Sequence, residues 1–145
     1  EESHIAENLV IADEALPNLL TEAELKLVEE AGRTYRTLMK VPCTGCGYCM
    51  PCPSEVSIPR CFDIYNKMHL FGNDVEAKFS YALSMGGAFS GTPSYASQCV
   101  RCEECLEKCP QHIEIPDFLE MVAEEMEDED LEKRVAIGKK MLNME

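Results

Sequence analysis

The chain has no tryptophan, and aromatic residues make up only 7% of its 145 residues. A large aromatic core is therefore not expected, although a hydrophobic content of 46% suffices for one compact domain. Positive charge is also scarce, because 13 Lys and Arg stand against 27 Asp and Glu, for a net charge of −14. Such an acidic surface repels phosphate backbones and anionic lipid heads. We therefore expect no nucleic-acid or membrane partner, and favour a basic partner protein.

No run of apolar residues is long enough to span a membrane. The first ten residues, EESHIAENLV, are acidic where a signal peptide is basic, so we expect a cytoplasmic protein. A first residue of Glu1 rather than Met suggests a piece of a longer protein. Nine cysteines would then face a reducing compartment, where thiols bind metals more often than they form disulfides. Their odd number also argues against a simple disulfide framework.

Helical periodicity recurs along the chain, and no segment shows the strict alternation of a β-strand. Thr21-Glu22-Ala23-Glu24 is a capping box, in which a hydroxyl and a carboxylate satisfy amides at a helix start. The helix beginning near Asn73 is expected to carry Val75, Phe79, Ala82 and Leu83 together on one apolar side. The predicted helices cover residues 3–14 and 21–39 and open again at Pro59, at Asn73 or Asp74, and at Pro116. The sequence therefore predicts an all-α architecture.

Residues 99–110, CVRCEECLEKCP, have the spacing C-x2-C-x2-C-x3-C-P. This spacing is typical of bacterial-type [4Fe–4S] sites, in which the fourth cysteine ligates the other cluster. Three thiolates three residues apart lie on one tight loop and can reach three iron corners of a cubane. The fourth corner faces away from that loop, so its ligand must come from elsewhere.

The chain contains this motif twice. Residues 43–52, CTGCGYCMPC, also carry a thiol at every third position, and their first three cysteines lie 56 residues before those of the second motif. From Cys52-Pro53 and Cys109-Pro110 onward the offset is 57 residues, and both copies continue with a branched residue and Ile-Pro. The first motif is thus one residue shorter between its third and fourth thiols. This duplication predicts two equivalent sites related by an approximate twofold axis.

We therefore expect two [4Fe–4S] clusters that exchange their fourth ligands between the motifs. The predicted ligands of the first cluster are Cys43, Cys46, Cys49 and Cys109, and those of the second are Cys99, Cys102, Cys105 and Cys52. Such an exchange couples cluster binding to folding. Structural zinc sites pair two C-x2-4-C units, which would leave the three-plus-one spacing and the Cys-Pro pairs unexplained. The ninth cysteine, Cys61, aligns with Phe118 and is expected to be a small buried hydrophobic residue.

The two loops differ in charge. The first contains Gly45 and Gly47, whose missing side chains would let backbone amides approach the cluster sulfides. The second carries five charged side chains instead: Arg101, Glu103, Glu104, Glu107 and Lys108. Hydrogen bonds, charge and solvent exposure all tune the potential of a cluster, so we expect the two potentials to differ.

Four segments of the chain carry a resemblance to a known family: PCTGCGYCMPCPSEVSIP, YNKMHLFG, FSYALSMGG and ASQCVRCEECLEKCPQHIEIP. They resemble the C-terminal ferredoxin-type domain of the iron–sulfur aldo/keto reductases. The resemblance is strong over residues 41–122 and implies an α-helical ferredoxin-like fold with two cluster loops between helix pairs. It implies that residues 1–40 are the helical junction to a reductase barrel absent from this sequence, followed by a dicluster domain (41–127) and an acidic helical tail (128–145). No residue of this chain matches the catalytic set of that barrel.

The favoured hypothesis is electron transfer through the two clusters, with an absent reductase domain or a basic redox protein as partner. On this hypothesis the segment itself has no catalytic residue, and the complete protein is an aldo/keto reductase-type oxidoreductase. The alternative is a structural or docking domain that clusters or zinc ions only hold together. A catalytic cluster with an open iron is disfavoured, because eight thiolates suffice for two fully ligated cubanes.

Overall fold

A computed structural model of the chain describes residues 1–142. Those residues contain no β-strand, so the predicted all-α architecture is confirmed. The helices are α1 (Glu2–Glu14), α2 (Glu22–Leu38), α3 (Ile58–Phe71), α4 (Asp74–Met85), α5 (Ile115–Met126) and α6 (Leu131–Met141), with a 3-10 helix at Ala96–Gln98. None of them has both the length and the apolarity that a membrane span requires. Residues 143–145, the end of the predicted acidic tail, lie outside the described residues.

The chain divides into two compact units, and the division falls after Tyr35. The first unit consists of α1 and most of α2, and neither of these helices buries a side chain. The predicted capping box begins α2: the Thr21 amide donates to the Glu24 carboxylate (2.8 Å), and the Glu24 amide donates to the Thr21 hydroxyl (3.3 Å). The proposed domain boundaries at residues 40 and 127 stay predictions.

The second unit contains the hydrophobic core. In it α3 packs against both α4 and α5, α6 packs against α4, and the 3-10 helix packs against α5. Pro59 and Pro116 each occupy the second position of their helix, where the missing N–H costs no hydrogen bond. The fully buried side chains include Phe62, Tyr65 and Tyr81. The core is thus built around the two helices that directly follow the cysteine motifs.

One expectation about α4 is wrong. Val75 does not share a buried face with Ala82: its side chain is 83% exposed, whereas Ala82 is fully buried. The buried stripe of α4 is formed instead by Ala77, Tyr81, Ala82 and Met85. This stripe faces two neighbouring helices, α3 and α6. Val75 lies at the edge of this stripe, about 20° around the helix from Ala82, because seven residues at about 100° each make nearly two full turns. It belongs to the first turn of α4, two turns before Ala82.

Candidate metal centres

The eight motif cysteines line two separate small cavities. The first cavity is bordered by Cys43, Cys46, Cys49 and Cys109, called here the first thiol set. The second is bordered by Cys52, Cys99, Cys102 and Cys105, the second thiol set, and also by Cys49. Each set contains three cysteines of one motif and the fourth cysteine of the other. The structure therefore brings together the same residues that the sequence analysis grouped, including Cys52, whose motif is one residue shorter.

The electrostatic neighbours of the thiols follow the same grouping. Burial raises the pKa of Cys43, and the nearby Cys46 and Cys109 thiols raise it further. Burial likewise raises the pKa of Cys105, with a contribution from Cys52 of the other motif. Burial therefore disfavours an isolated thiolate at these positions. A bound iron would supply compensating charge, because a coordinated thiol is deprotonated outright.

Cys49 connects the two thiol sets. Burial raises its pKa to about 11, and among the further causes are Cys43 of its own set and Cys105 of the other. Cys49 also lines both cavities, as does the side chain of Ile58. The two centres are therefore direct neighbours, separated by one cysteine and one buried aliphatic residue.

The walls of the cavities are apolar and include the starts of two helices. Ile58, Phe62 and Ile115 border the first cavity, whereas Pro116 and Leu119 border the second. Both α3 and α5 begin at these walls. A helix N-terminus carries partial positive charge, which favours an anionic group such as a thiolate-ligated cluster. The apolar walls limit the access of water to the same positions.

The backbone before the first motif is fixed by Asn66, a buried residue of α3. Its side-chain oxygen accepts hydrogen bonds from the amides of Lys40 (3.0 Å) and Val41 (2.9 Å), and its side-chain nitrogen donates to the Val41 carbonyl (2.8 Å). Asn66 is the one buried polar side chain in the core of the described residues. These three bonds hold the chain two residues ahead of Cys43.

The backbone before the second motif is fixed at the equivalent place by a different device. The amide of Ala96 donates to the hydroxyl of Tyr81 (2.9 Å), and the amide of Ser97 donates to the carboxylate of Glu127 (3.1 Å). Tyr81 in turn donates to Glu127 (2.6 Å). Burial, the largest of several causes, raises the pKa of the Tyr81 phenol, which keeps it a neutral donor.

Neither device was predicted from the sequence. The two supported amides correspond in the repeat, since Ala96 and Ser97 lie 56 residues after Lys40 and Val41. The supporting residues do not correspond: Asn66 aligns with Ala123, while Tyr81 lies on α4, between the two repeats. The only available signal was a polar residue on the apolar face of each helix.

The loops repeat in backbone conformation as well as in cysteine spacing. Gly45 and Gly47 have φ values of 70° and 77°, and their counterparts Arg101 and Glu103 have values of 55° and 64°. All four lie in the left-handed region, which residues other than glycine seldom adopt. Glycine at positions 45 and 47 therefore also meets the need for a positive φ.

The donor set fits iron–sulfur clusters. All nine cysteines are free thiols. Across residues 1–142, no three His, Cys, Asp or Glu side chains converge closely enough to hold a single metal ion. Thiolates are also the ligands that [4Fe–4S] clusters use. Cys61 takes no part: it is fully buried beside Tyr81 and Met85, as expected, and burial raises its pKa to about 12.

Comparison with known proteins yields one match. A family model described as a 4Fe–4S dicluster domain matches residues 42–114, which include both cysteine motifs and the segment between them. No curated protein and no solved structure matches the chain.

Proposed function

The chain belongs to the 4Fe–4S dicluster domain family, and on that premise we propose that it transfers electrons through its two [4Fe–4S] clusters. A [4Fe–4S] cluster, when bound, takes up and releases single electrons. The observation that carries the proposal is the adjacency of the thiol sets, which share Cys49 as a wall. A purely structural role would not require two centres to be neighbours, whereas electron transfer does.

The proposed ligands are the members of the two thiol sets. Cys43, Cys46, Cys49 and Cys109 would hold one cluster, and Cys99, Cys102, Cys105 and Cys52 would hold the other; their common cavities support this grouping. Other residues of the chain position these ligands and exclude water. Asn66 and the Tyr81–Glu127 pair fix the entry to each loop, and the aliphatic walls shield the inner thiols.

The proposed context is that of an aldo/keto reductase-type oxidoreductase in the cytoplasm. Support comes from the sequence resemblance over residues 41–122 and from the nine free thiols. In that context this segment passes electrons to or from a reductase domain or a basic redox protein. The net charge of −14 would attract such a partner, at a rate that falls as the salt concentration rises.

The test is a count of the electrons that the cluster-loaded chain delivers. The protein is reduced anaerobically, freed of reductant and mixed with hexaammineruthenium(III), a one-electron acceptor. We expect about two electrons per chain, one from each cluster. Cys52→Ala should deliver about one, and Cys61→Ala, the matched control outside both thiol sets, about two. Delivery of no electrons by a folded, fully loaded protein would contradict the proposal and favour a structural or docking role.

A further inference from the structure

A second kind of cavity lies beside the first thiol set. Its volume is about 480 Å³, which is the size of a site for a small molecule. Cys43 and Gly45 border it on the loop side, and Arg60, Asp63 and Lys67 border it on the side of α3. Cys43 also lines the first thiol-set cavity. Any molecule bound in the larger cavity would therefore touch a residue that we assign to a cluster.

The repeat contains a counterpart of this cavity next to the second thiol set. It is bordered by Cys99, Arg101, Pro116 and Glu120, which align with Cys43, Gly45, Pro59 and Asp63. Its volume is about 190 Å³, less than half that of the first. Each repeat thus has a cavity at the same position, and the cavity of the first repeat has the larger volume.

The two cavities differ at one loop position that borders both. Arg101 replaces Gly45, and both adopt a positive φ. The Arg101 guanidinium reaches α5, where it donates to Glu120 (3.1 Å) and to Asp117. The Arg101 side chain of the second cysteine loop therefore crosses the second cavity. Gly45 has no side chain with which to do the same.

The helices beside the two cavities also differ in charge. On α5 the three aligned positions are all acidic, Asp117, Glu120 and Glu124, and Glu120 borders the second cavity. On α3 the same positions are Arg60, Asp63 and Lys67, so two acids are replaced by cations. Asp63 pairs with both, at 2.7 Å to Arg60 and 2.9 Å to Lys67, which leaves one net positive charge. Both cations remain accessible, with side chains 45% and 56% exposed.

We propose that the cavity beside Cys43 binds a small organic anion. Its carboxylate, phosphate or sulfonate group would lie at Arg60 and Lys67, and its apolar body would lie against Met39 and Leu70. The second repeat supplies the argument, because there an acidic wall receives a cation from the loop. In the first repeat the helix presents Arg60 and Lys67, and the loop has no charged side chain that could pair with them. The group that would balance their positive charge is therefore the anionic group of a bound ligand. This inference does not depend on the electron-transfer proposal.

Two probes with the same ring and opposite charge test the site on the cluster-loaded full chain. They are naphthalene-1-sulfonate and 1-naphthylmethylammonium, and calorimetry or ligand-observed NMR measures their dissociation constants. We expect saturable binding of the sulfonate to one site and at least about tenfold weaker binding of the cation, a factor that corresponds to about 1.4 kcal/mol.

Gly45→Arg reproduces the second repeat at this position. A Cβ atom at Gly45 meets nothing within 4 Å, and Arg101 shows that arginine fits this backbone conformation. We expect at least about a tenfold loss of sulfonate affinity. Because the variant adds a positive charge, electrostatics alone would strengthen binding, so a loss reports that the cavity is filled. Gly91→Arg is the matched control, since Gly91 also has a positive φ (81°) and free space; it should leave the affinity unchanged.

The double variant Arg60→Asp/Lys67→Glu gives α3 the charges of α5, and we expect it to prefer the naphthylmethylammonium probe. Iron content and melting temperature show whether each variant is loaded and folded. Wild-type protein that shows no saturable sulfonate binding would overturn the proposal. So would sulfonate binding that Gly45→Arg weakens no more than Gly91→Arg does.

Discussion

The fourth cysteine of each motif connects the two halves of the second unit. Cys109 shares a cavity with the first motif, and Cys52 shares one with the second. Burial raises the pKa of Cys43 and of Cys105, and Cys109 adds to the first shift as Cys52 adds to the second. Each thiol set therefore combines three cysteines of one motif with the fourth cysteine of the other.

Double variants test this exchange of ligands. Cys43→Ala/Cys109→Ala removes two ligands from one proposed cluster, so the chain should keep about four iron atoms. Cys99→Ala/Cys109→Ala damages both clusters and should keep almost none. Iron and sulfide analysis after anaerobic reconstitution measures the difference. Ligation within each motif would reverse the two results, and Cys61→Ala should retain about eight iron atoms.

Asn66 is the residue whose loss should destabilise the first loop most without touching a thiol. Asn66→Ala removes three hydrogen bonds and leaves buried backbone groups of Val41 unpaired. We expect a loss of about 2–3 kcal/mol, seen as a melting temperature of the loaded protein lower by several degrees. Asn73→Ala removes only the exposed cap of α4 and should cost about 1 kcal/mol. Equal losses for the two variants would contradict this account.

At this scale the cysteine spacing sufficed to predict which thiols line a common cavity, because thiols three residues apart on a loop face the same volume. The side chains that fix the backbone before each motif could not be predicted from the sequence. Asn66 contacts residues 25 and 26 positions away, and Glu127 contacts one 30 positions away. Such pairings depend on how helices pack, which local patterns do not encode. The positive φ of Arg101 and Glu103 was equally hidden, since neither residue type favours it.

At the scale of helices, the C-terminal end of α5 joins α4 to the second loop. Glu127 follows the last residue of α5, receives the Tyr81 hydroxyl from α4 and binds the amide of Ser97. The next residue, Asp128, pairs with Lys78 of α4 and with Arg134 of α6. Two adjacent carboxylates therefore connect three helices and the loop that precedes Cys99.

Tyr81→Phe tests the first of these connections. The variant leaves the buried amide of Ala96 without its acceptor, so we expect a loss of about 1–3 kcal/mol. Tyr65→Phe is the matched control: its hydroxyl donates only to Glu125, whose side chain is 45% exposed and can bind water instead. The control should lose less than about 1 kcal/mol. Thermal melting of the loaded proteins distinguishes the two, and an equal decrease would refute the role given to Tyr81.

Asp128→Asn tests the second connection. The side-chain hydrogen bonds from Lys78 and Arg134 lower the pKa of Asp128 to about 2. Because the folded pKa is depressed, its stabilisation is complete above the unfolded value of about 4 and is lost as the pH falls towards 2. The site is one-third exposed, so we expect only about 1 kcal/mol, equal at pH 7 and pH 5. Melting temperatures at both pH values measure it; a decrease at pH 7 that vanishes at pH 5 would be inconsistent.

Helix starts were predictable because their signals are local. The Thr21–Glu24 box, the cap at Asn73 and the prolines of α3 and α5 all lie within four residues of the helix starts that they mark. The buried face of α4 was not predictable to the same extent, since it is chosen by contacts with α3 and α6. Val75 therefore appeared to belong to the inner face, whereas Tyr81, which anchors a loop, was overlooked.

At the scale of the whole molecule, duplication has given two sets of four thiols with unequal surroundings. The first loop is uncharged from Val41 to Ser54 and borders the larger cavity. The second loop carries five charged side chains, and one of them, Arg101, crosses the smaller cavity to reach α5. These differences support the expectation of unequal cluster potentials. The shared wall formed by Cys49 and Ile58 places the two centres next to each other.

A potentiometric titration of the cluster-loaded chain, followed by electron paramagnetic resonance, tests electron transfer through neighbouring clusters most directly. We predict two reversible one-electron reductions at different potentials, within the range of about −700 to +450 mV known for iron–sulfur clusters. The spectrum of the fully reduced protein should show magnetic interaction between two spins. Clusters that cannot be reduced reversibly in a folded protein, or two spins without interaction, would contradict this account.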